Sequence, residues 1–172
     1  MVEIITEYPH FFTATNLCWK KLLEPDKNKD VIIDSKRFLV EDKRVIIYGF
    51  VIMPNHIHLL WHLRAGKIRE HVQRDFLRHT AQEIKKDMLV NNLEGLKPYL
   101  LNAKDRKYQF WERNALSVEI WSEKVLIQKL KYIHENPVRA GLCDYPTDYK
   151  YSSVLLYKTG IDNWGFLTHF RD

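Results

Sequence analysis

Hydrophobic and polar positions along this chain predict four strands and three helices, with a short fourth helix near the end. Phe11 to Leu17 is rich in aromatic and threonine residues and predicts a first strand. Lys20 to Asp30 is polar, contains Pro25 and predicts a loop. From Val31 to Asp42, apolar residues at Ile32, Ile33, Phe38, Leu39 and Val40 predict a helix. Arg44 to Met53 has a buried-strand pattern and ends at the turn signal Pro54-Asn55. His56 to Leu63 predicts the next strand, and so short a turn predicts an antiparallel hairpin. Lys67 to Met88 predicts a long helix, with Ile68, Val72, Phe76, Ala81, Ile84 and Met88 at near-helical spacing. Val90 to Lys107 is the least regular stretch. Leu116 to Trp121 predicts a strand. Ser122 is placed to cap a helix running to about Glu135, and Pro137 lies just past its expected end. Ser152 to Tyr157 predicts a short helix.

The order strand, helix, strand, strand, helix, strand matches a split β-α-β plan. It predicts an α+β, ferredoxin-like (RRM-like) fold, with a mostly antiparallel sheet and helices on one face. The helix at 122–135 is an addition to that plan, expected near the sheet edge or face.

Composition narrows the class. A length of 172 residues fits one domain, 1–172. Only two cysteines occur, far apart, which excludes a disulfide scaffold and a cysteine-based zinc ribbon. No apolar run reaches the roughly 20 residues of a membrane span. Met1 to His10 has no basic n-region, so a reducing, cytoplasmic setting is the expectation. The balance of 27 Lys+Arg against 22 Asp+Glu, a net +5, permits a nucleic-acid partner without requiring one.

His56-Ile57-His58 is the sharpest chemical feature. Alternate strand side chains share a face, so the two imidazoles point one way and Ile57 the other. Such a pair can converge on one cation. Spacing alone equally describes two surface histidines. His62 shares the same strand parity and reads as a sheet-surface histidine.

The second feature is the run from Tyr132 to Pro137. On a helix, Gln128, Tyr132 and Asn136 form a polar stripe beside the apolar stripe of Leu126, Leu130 and Ile133. A tyrosine hydroxyl can act as a covalent nucleophile when a cation or base activates it. An ordinary rim aromatic gives the same pattern. His134 and Glu135 fall on other faces, as surface or capping residues.

Together these runs resemble a known family. YGFVIMPNHIHLL at 48–60 is similar to the HUH motif of single-strand DNA transposases, in which U is hydrophobic. YIHENPVRAGL at 132–142, followed by Tyr151-Ser152-Ser153, is similar to the nucleophile segment of the REP-associated tyrosine transposases, relatives of the IS200/IS605 enzymes. The resemblance implies a ferredoxin-like core and a divalent ion, Mg²⁺ or Mn²⁺. It implies His56 and His58 as metal ligands, Asn136 as third ligand and Tyr132 as nucleophile. The implied activity is a metal-dependent single-strand DNA endonuclease and strand transferase acting through a 5′-phosphotyrosine link. Its substrate would be single-stranded DNA with hairpin structure, and the protein would be a monomer or homodimer. The alternative is a non-catalytic ferredoxin-like module that binds nucleic-acid hairpins.

Basic residues offer a surface for that partner. Lys67, Arg74, Arg78 and Lys85 recur along one helix face with His71 and Gln82, although acidic residues are interspersed. Lys104, Arg106 and Lys107 precede Tyr108 and Trp111, a mixture suited to unpaired bases. Trp111 reads equally as core. Arg139 is placed to contact a phosphate or to cap carbonyls.

Overall fold

The structure is a computed structural model and describes residues 8–101 and 107–172. Strand β1 spans His10–Thr15, β2 Val45–Ile52, β3 His56–Leu63 and β4 Leu116–Glu119. Helix α1 spans Asp26–Glu41, α2 Arg69–Asn91, α3 Leu93–Leu96, α4 Glu123–Arg139 and α5 Val154–Thr159. The sheet order is β2-β3-β1-β4, and all three pairings are antiparallel. This is the ferredoxin-like arrangement expected from the element order.

Strand parity divides the molecule into two cores. Phe12, Ala14, Ile57, Leu59, Trp61 and Leu63 face α1 and α2, where Ile32, Leu39, Val72, Phe76 and Ile84 meet them. Trp61 stacks on Phe12 with ring centroids 5.2 Å apart. The opposite parity places Phe11, Val51 and Leu60 against Leu126, Leu130 and Ile133 of α4. The added helix therefore covers the second face of the sheet. Gly49 permits the close approach, since a Cβ there would sit 2.5 Å from the Leu130 side chain.

Two helices are longer than their sequence patterns predict. α1 begins at Asp26, inside the expected loop. Pro25 occupies the N-cap in an extended conformation, and Asp26 carries an acidic group at the helix's positive end, which favours a start there. α4 runs through Pro137 to Arg139 instead of ending near Glu135. Proline lacks an N–H, so it removes one bond to the preceding turn. Pro137 is buried, and its own carbonyl accepts from Leu142 N–H at 2.9 Å. The helix then closes at Gly141, whose positive φ of 74° suits a left-handed terminus. Among the described residues, no helix is long and apolar enough to cross a membrane.

Candidate active site

The hairpin turn before β3 and the register of β1 place the two histidines. His56 lies opposite Thr15, and His58 opposite Thr13, on the face covered by α4. Cross-strand neighbours on one face can touch. Accordingly, Thr13 Oγ1 and His58 Nδ1 are 2.8 Å apart. His58 also stacks on Phe11, with centroids 5.2 Å apart. Its other nitrogen, Nε2, is buried and has no hydrogen-bond partner among the described residues.

His56 lies beside it, with ring centroids 4.9 Å apart. Its Nδ1 is 2.7 Å from Asn55 Oδ1, an acceptor, so the ring donates there. A further hydrogen bond joins His56 to the Asn136 side chain. Burial pushes the His56 pKa down, and the Asn136 bond opposes that shift. His58 is pushed down to about 3, first by burial and then by the nearby His56, Lys129 and Arg139. Near neutral pH both rings are therefore uncharged bases, the form that binds cations.

Helix α4 supplies the facing wall. Ser122 caps it by accepting from Val125 N–H at 3.2 Å. Nearly three turns later, the Tyr132 ring meets His58 edge-on, with centroids 5.3 Å apart. Tyr132 is 40% exposed, and its hydroxyl makes no hydrogen bond among the described residues. Asn136, one turn on, reaches His56. The structure thus brings His56, His58, Tyr132 and Asn136 into one contiguous cluster. No group of three His, Cys, Asp or Glu assembles among the described residues. The groups that could hold an ion here are two imidazoles and the Asn136 side-chain amide, all neutral. The orphaned His58 Nε2 fits an arriving ligand, because a buried lone pair without a partner is costly.

Other expected residues sort differently. His62 bonds the Tyr48 hydroxyl at 3.1 Å, further along β3. His134 is neither surface nor cap: its Nε2 lies 2.8 Å from Ser153 Oγ, and its ring packs on Tyr157. Glu135 is a surface residue paired with Arg139 at 3.5 Å. Arg139 is the last residue of α4, and its guanidinium covers Tyr132.

Arg74, Arg78, Lys85 and Lys107 line one groove of about 920 Å³, between α2 and residues 107–115. Lys67 precedes α2 and does not line that groove. Lys104 and Arg106 lie outside the described residues. Trp111 belongs to the core, with its indole N–H 3.3 Å from Thr80 Oγ1. The 107–115 segment is tied to the site's end of the sheet, because Glu112 N–H donates to Thr15 O at 2.7 Å. Thr15 is the residue opposite His56.

Sequence reasoning missed Thr13, Asn55 and Lys129. Thr13 was recoverable, since strand parity puts it on the histidine face once β1 and β3 are paired. Lys129 was not, because its approach to the Phe11 ring, 4.7 Å from the centroid, depends on how α4 docks.

No family model matches the sequence, and no curated protein matches it. Solved structures do match the fold. A REP-associated tyrosine transposase bound to a REP hairpin is 16% identical, with a TM-score of 0.68 over 100% of this chain and 92% of that one. A chain described as a transposase from Deinococcus radiodurans R1 is 14% identical, with a TM-score of 0.53 over 77% of this chain and 92% of that one. The chain therefore has the fold of the REP-associated tyrosine transposases.

Proposed function

We propose that this protein is a transposase-like, metal-dependent single-strand DNA endonuclease and strand transferase, acting on hairpin-containing DNA through Tyr132. One observation carries the reading: the Tyr132 ring stands 5.3 Å from His58, whose Nε2 is buried and has no hydrogen-bond partner among the described residues. Nucleophile and ligand pair meet within one chain, which supports action in cis.

In this reading, the Tyr132 hydroxyl oxygen attacks a backbone phosphorus and forms a 5′-phosphotyrosine ester. The bond to the 3′ oxygen breaks. The phenol proton leaves to solvent, and the departing oxygen gains a proton to become a free 3′-OH. His56, His58 and Asn136 would hold a divalent ion, Mg²⁺ or Mn²⁺, which when bound withdraws charge from the phosphate. The neutral donor set leaves the ion's charge to be met by phosphate oxygens, and its imidazoles favour Mn²⁺ over Mg²⁺. Thr13 and Asn55 fix the two imidazoles from behind. Arg74, Arg78, Lys85 and Lys107 offer phosphate contacts in the groove, and Arg139 offers one beside Tyr132. Lys67, Lys104 and Arg106 remain proposed contacts on sequence grounds.

The test is a labelled hairpin oligonucleotide with a single-stranded flank, run on a denaturing gel with and without Mn²⁺. Wild type should form a covalent adduct only with the ion present. Tyr132→Phe should form none, and His56→Ala should lose the dependence on the ion together with cleavage. Adduct formation by Tyr132→Phe would remove the nucleophile. Tight hairpin binding with no cleavage in either ion would replace the enzyme with a binding module.

A further inference from the structure

The turn that follows β1 is built against the grain of its sequence. Cys18 and Trp19 both have positive φ, 52° and 56°. Residues with a Cβ seldom adopt that region, and two in succession are held only where surrounding contacts insist. Three such contacts are present. Trp19 N–H donates to Asn16 O at 2.9 Å, and Cys18 N–H donates to the Glu112 carboxylate at 2.6 Å. Asn55 Nδ2 donates to Trp19 O at 3.4 Å.

The strain does not serve to bury the indole. Trp19 is 62% exposed. Its ring stands edge-to-face with His56, centroids 5.8 Å apart. A large apolar ring is thus held open to solvent directly beside His56 of the histidine–tyrosine cluster. The same Asn55 that fixes His56 also fixes the Trp19 carbonyl. The same Glu112 that holds Cys18 begins the tie to the basic groove. One of the contacts that orient Trp19, through Asn55, therefore also orients His56.

We propose that Trp19 is a stacking platform for an unpaired nucleobase adjoining the phosphodiester at His56, His58 and Tyr132. The inference rests on the single-strand reading above and adds a base-binding subsite to it. Every base offers a π-face, so such a platform grips a strand without selecting its sequence, and it demands that the base be unpaired. Cations on the groove side supply the complementary grip on phosphates.

The probes are a fluorescein-labelled 12-nucleotide oligothymidylate and a strand of equal length with every base removed. Affinities are measured in Tyr132→Phe protein, so that no cleavage intervenes. Trp19→Ala should weaken binding of oligothymidylate by about tenfold to a hundredfold and leave the abasic strand unchanged. Trp19→Phe, which keeps a ring, should retain most of the affinity. Trp121→Ala removes an exposed indole at the far end of β4 and should change neither affinity. Unchanged oligothymidylate binding by Trp19→Ala, equal loss on both strands, or equal loss from Trp121→Ala would overturn the platform while leaving the cleavage reading intact. Failure of the protein to bind either strand would overturn both.

Discussion

The guanidinium of Arg139 lies over the ring of Tyr132, 4.5 Å from its centroid, and donates to the Tyr132 carbonyl oxygen at 2.9 Å. The contact exists because α4 continues through Pro137 and keeps Arg139 in helical register with Tyr132. Glu135 holds the other side of the guanidinium at 3.5 Å. The arginine thus clamps the orientation of the tyrosine ring while presenting charge beside it.

Arg139→Ala should lower the single-turnover rate of adduct formation by about tenfold, the scale of one partly exposed cation–π contact plus a phosphate contact. Arg139→Lys keeps the charge but loses the planar fork, so it should fall between wild type and alanine. Denaturation midpoints should barely move, since the side chain is half exposed. A loss of rate matched by a loss of stability would reduce Arg139 to a structural role.

Thr13 offers a test of how the metal pair is held. Its hydroxyl sits 2.8 Å from His58 Nδ1 and so fixes which nitrogen is left for a metal. Thr13→Val keeps the shape and removes that bond. Removing such a partner behind a metal-binding histidine costs about 10–100-fold in metal affinity. Mn²⁺ titration should show that loss, and Thr13→Ser should restore most of it. Equal Mn²⁺ affinity in Thr13→Val would detach Thr13 from the site.

Strand parity made the histidine pair legible, because period-two patterning assigns a face before any partner strand is known. His56–Leu63 appears with the same bounds in sequence and structure. Helix ends were less legible. Pro137 carries a strong stop signal locally, yet burial of α4 against the sheet outweighs one missing hydrogen bond. Helix α1 misled in its inner face as well. Phe38 is exposed, while Lys36 points into the core, because docking against α2 and the sheet sets the buried stripe. His134 reads as a surface or capping residue in the sequence for a similar reason. Its partner Ser153 is distant in sequence and arrives only when the 150s fold back over β2.

His134 also predicts how stability responds to acid. Burial, then the nearby Lys158, push its pKa down to about 4, below the ordinary 6.5. Between those values the unfolded chain binds a proton that the folded chain does not. Stability contributed by this residue is therefore complete above about pH 6.5 and is lost as pH falls toward 4. The slope is about 1.4 kcal/mol per pH unit for one proton. His58, pushed down to about 3, acts in the same direction. Urea midpoints in EDTA should fall steadily between pH 6.5 and 5. His134→Gln, which can still bond Ser153, should shed one proton's share of that slope. An unchanged slope in the variant would mean that His134 is solvated in the folded state.

Lys36 extends the same argument to a side chain buried where a cation is disfavoured. It is fully buried, its Nζ has no hydrogen-bond partner among the described residues, and it lies 3.0 Å from the centroid of Phe50 and 5.6 Å from that of Phe166. Burial holds its pKa well below the ordinary lysine value. Two effects compete: the ring face of Phe50 attracts an ammonium, and the loss of water penalises it. With no acceptor for any of its protons, the desolvation penalty is the larger. Below the ordinary lysine pKa the unfolded chain binds the proton more readily, so stability rises with pH toward that value. Lys36→Met keeps the length, contacts the same rings and removes the polar head. It should raise unfolding free energy at pH 7 by about 1–3 kcal/mol and flatten the rise between pH 7 and 9. Lys36→Arg, which cannot shed its charge, should destabilise. If Lys36→Met destabilises instead, the ammonium–ring contact outweighs desolvation, and Lys36 is a cation that the Phe50 face stabilises inside the core.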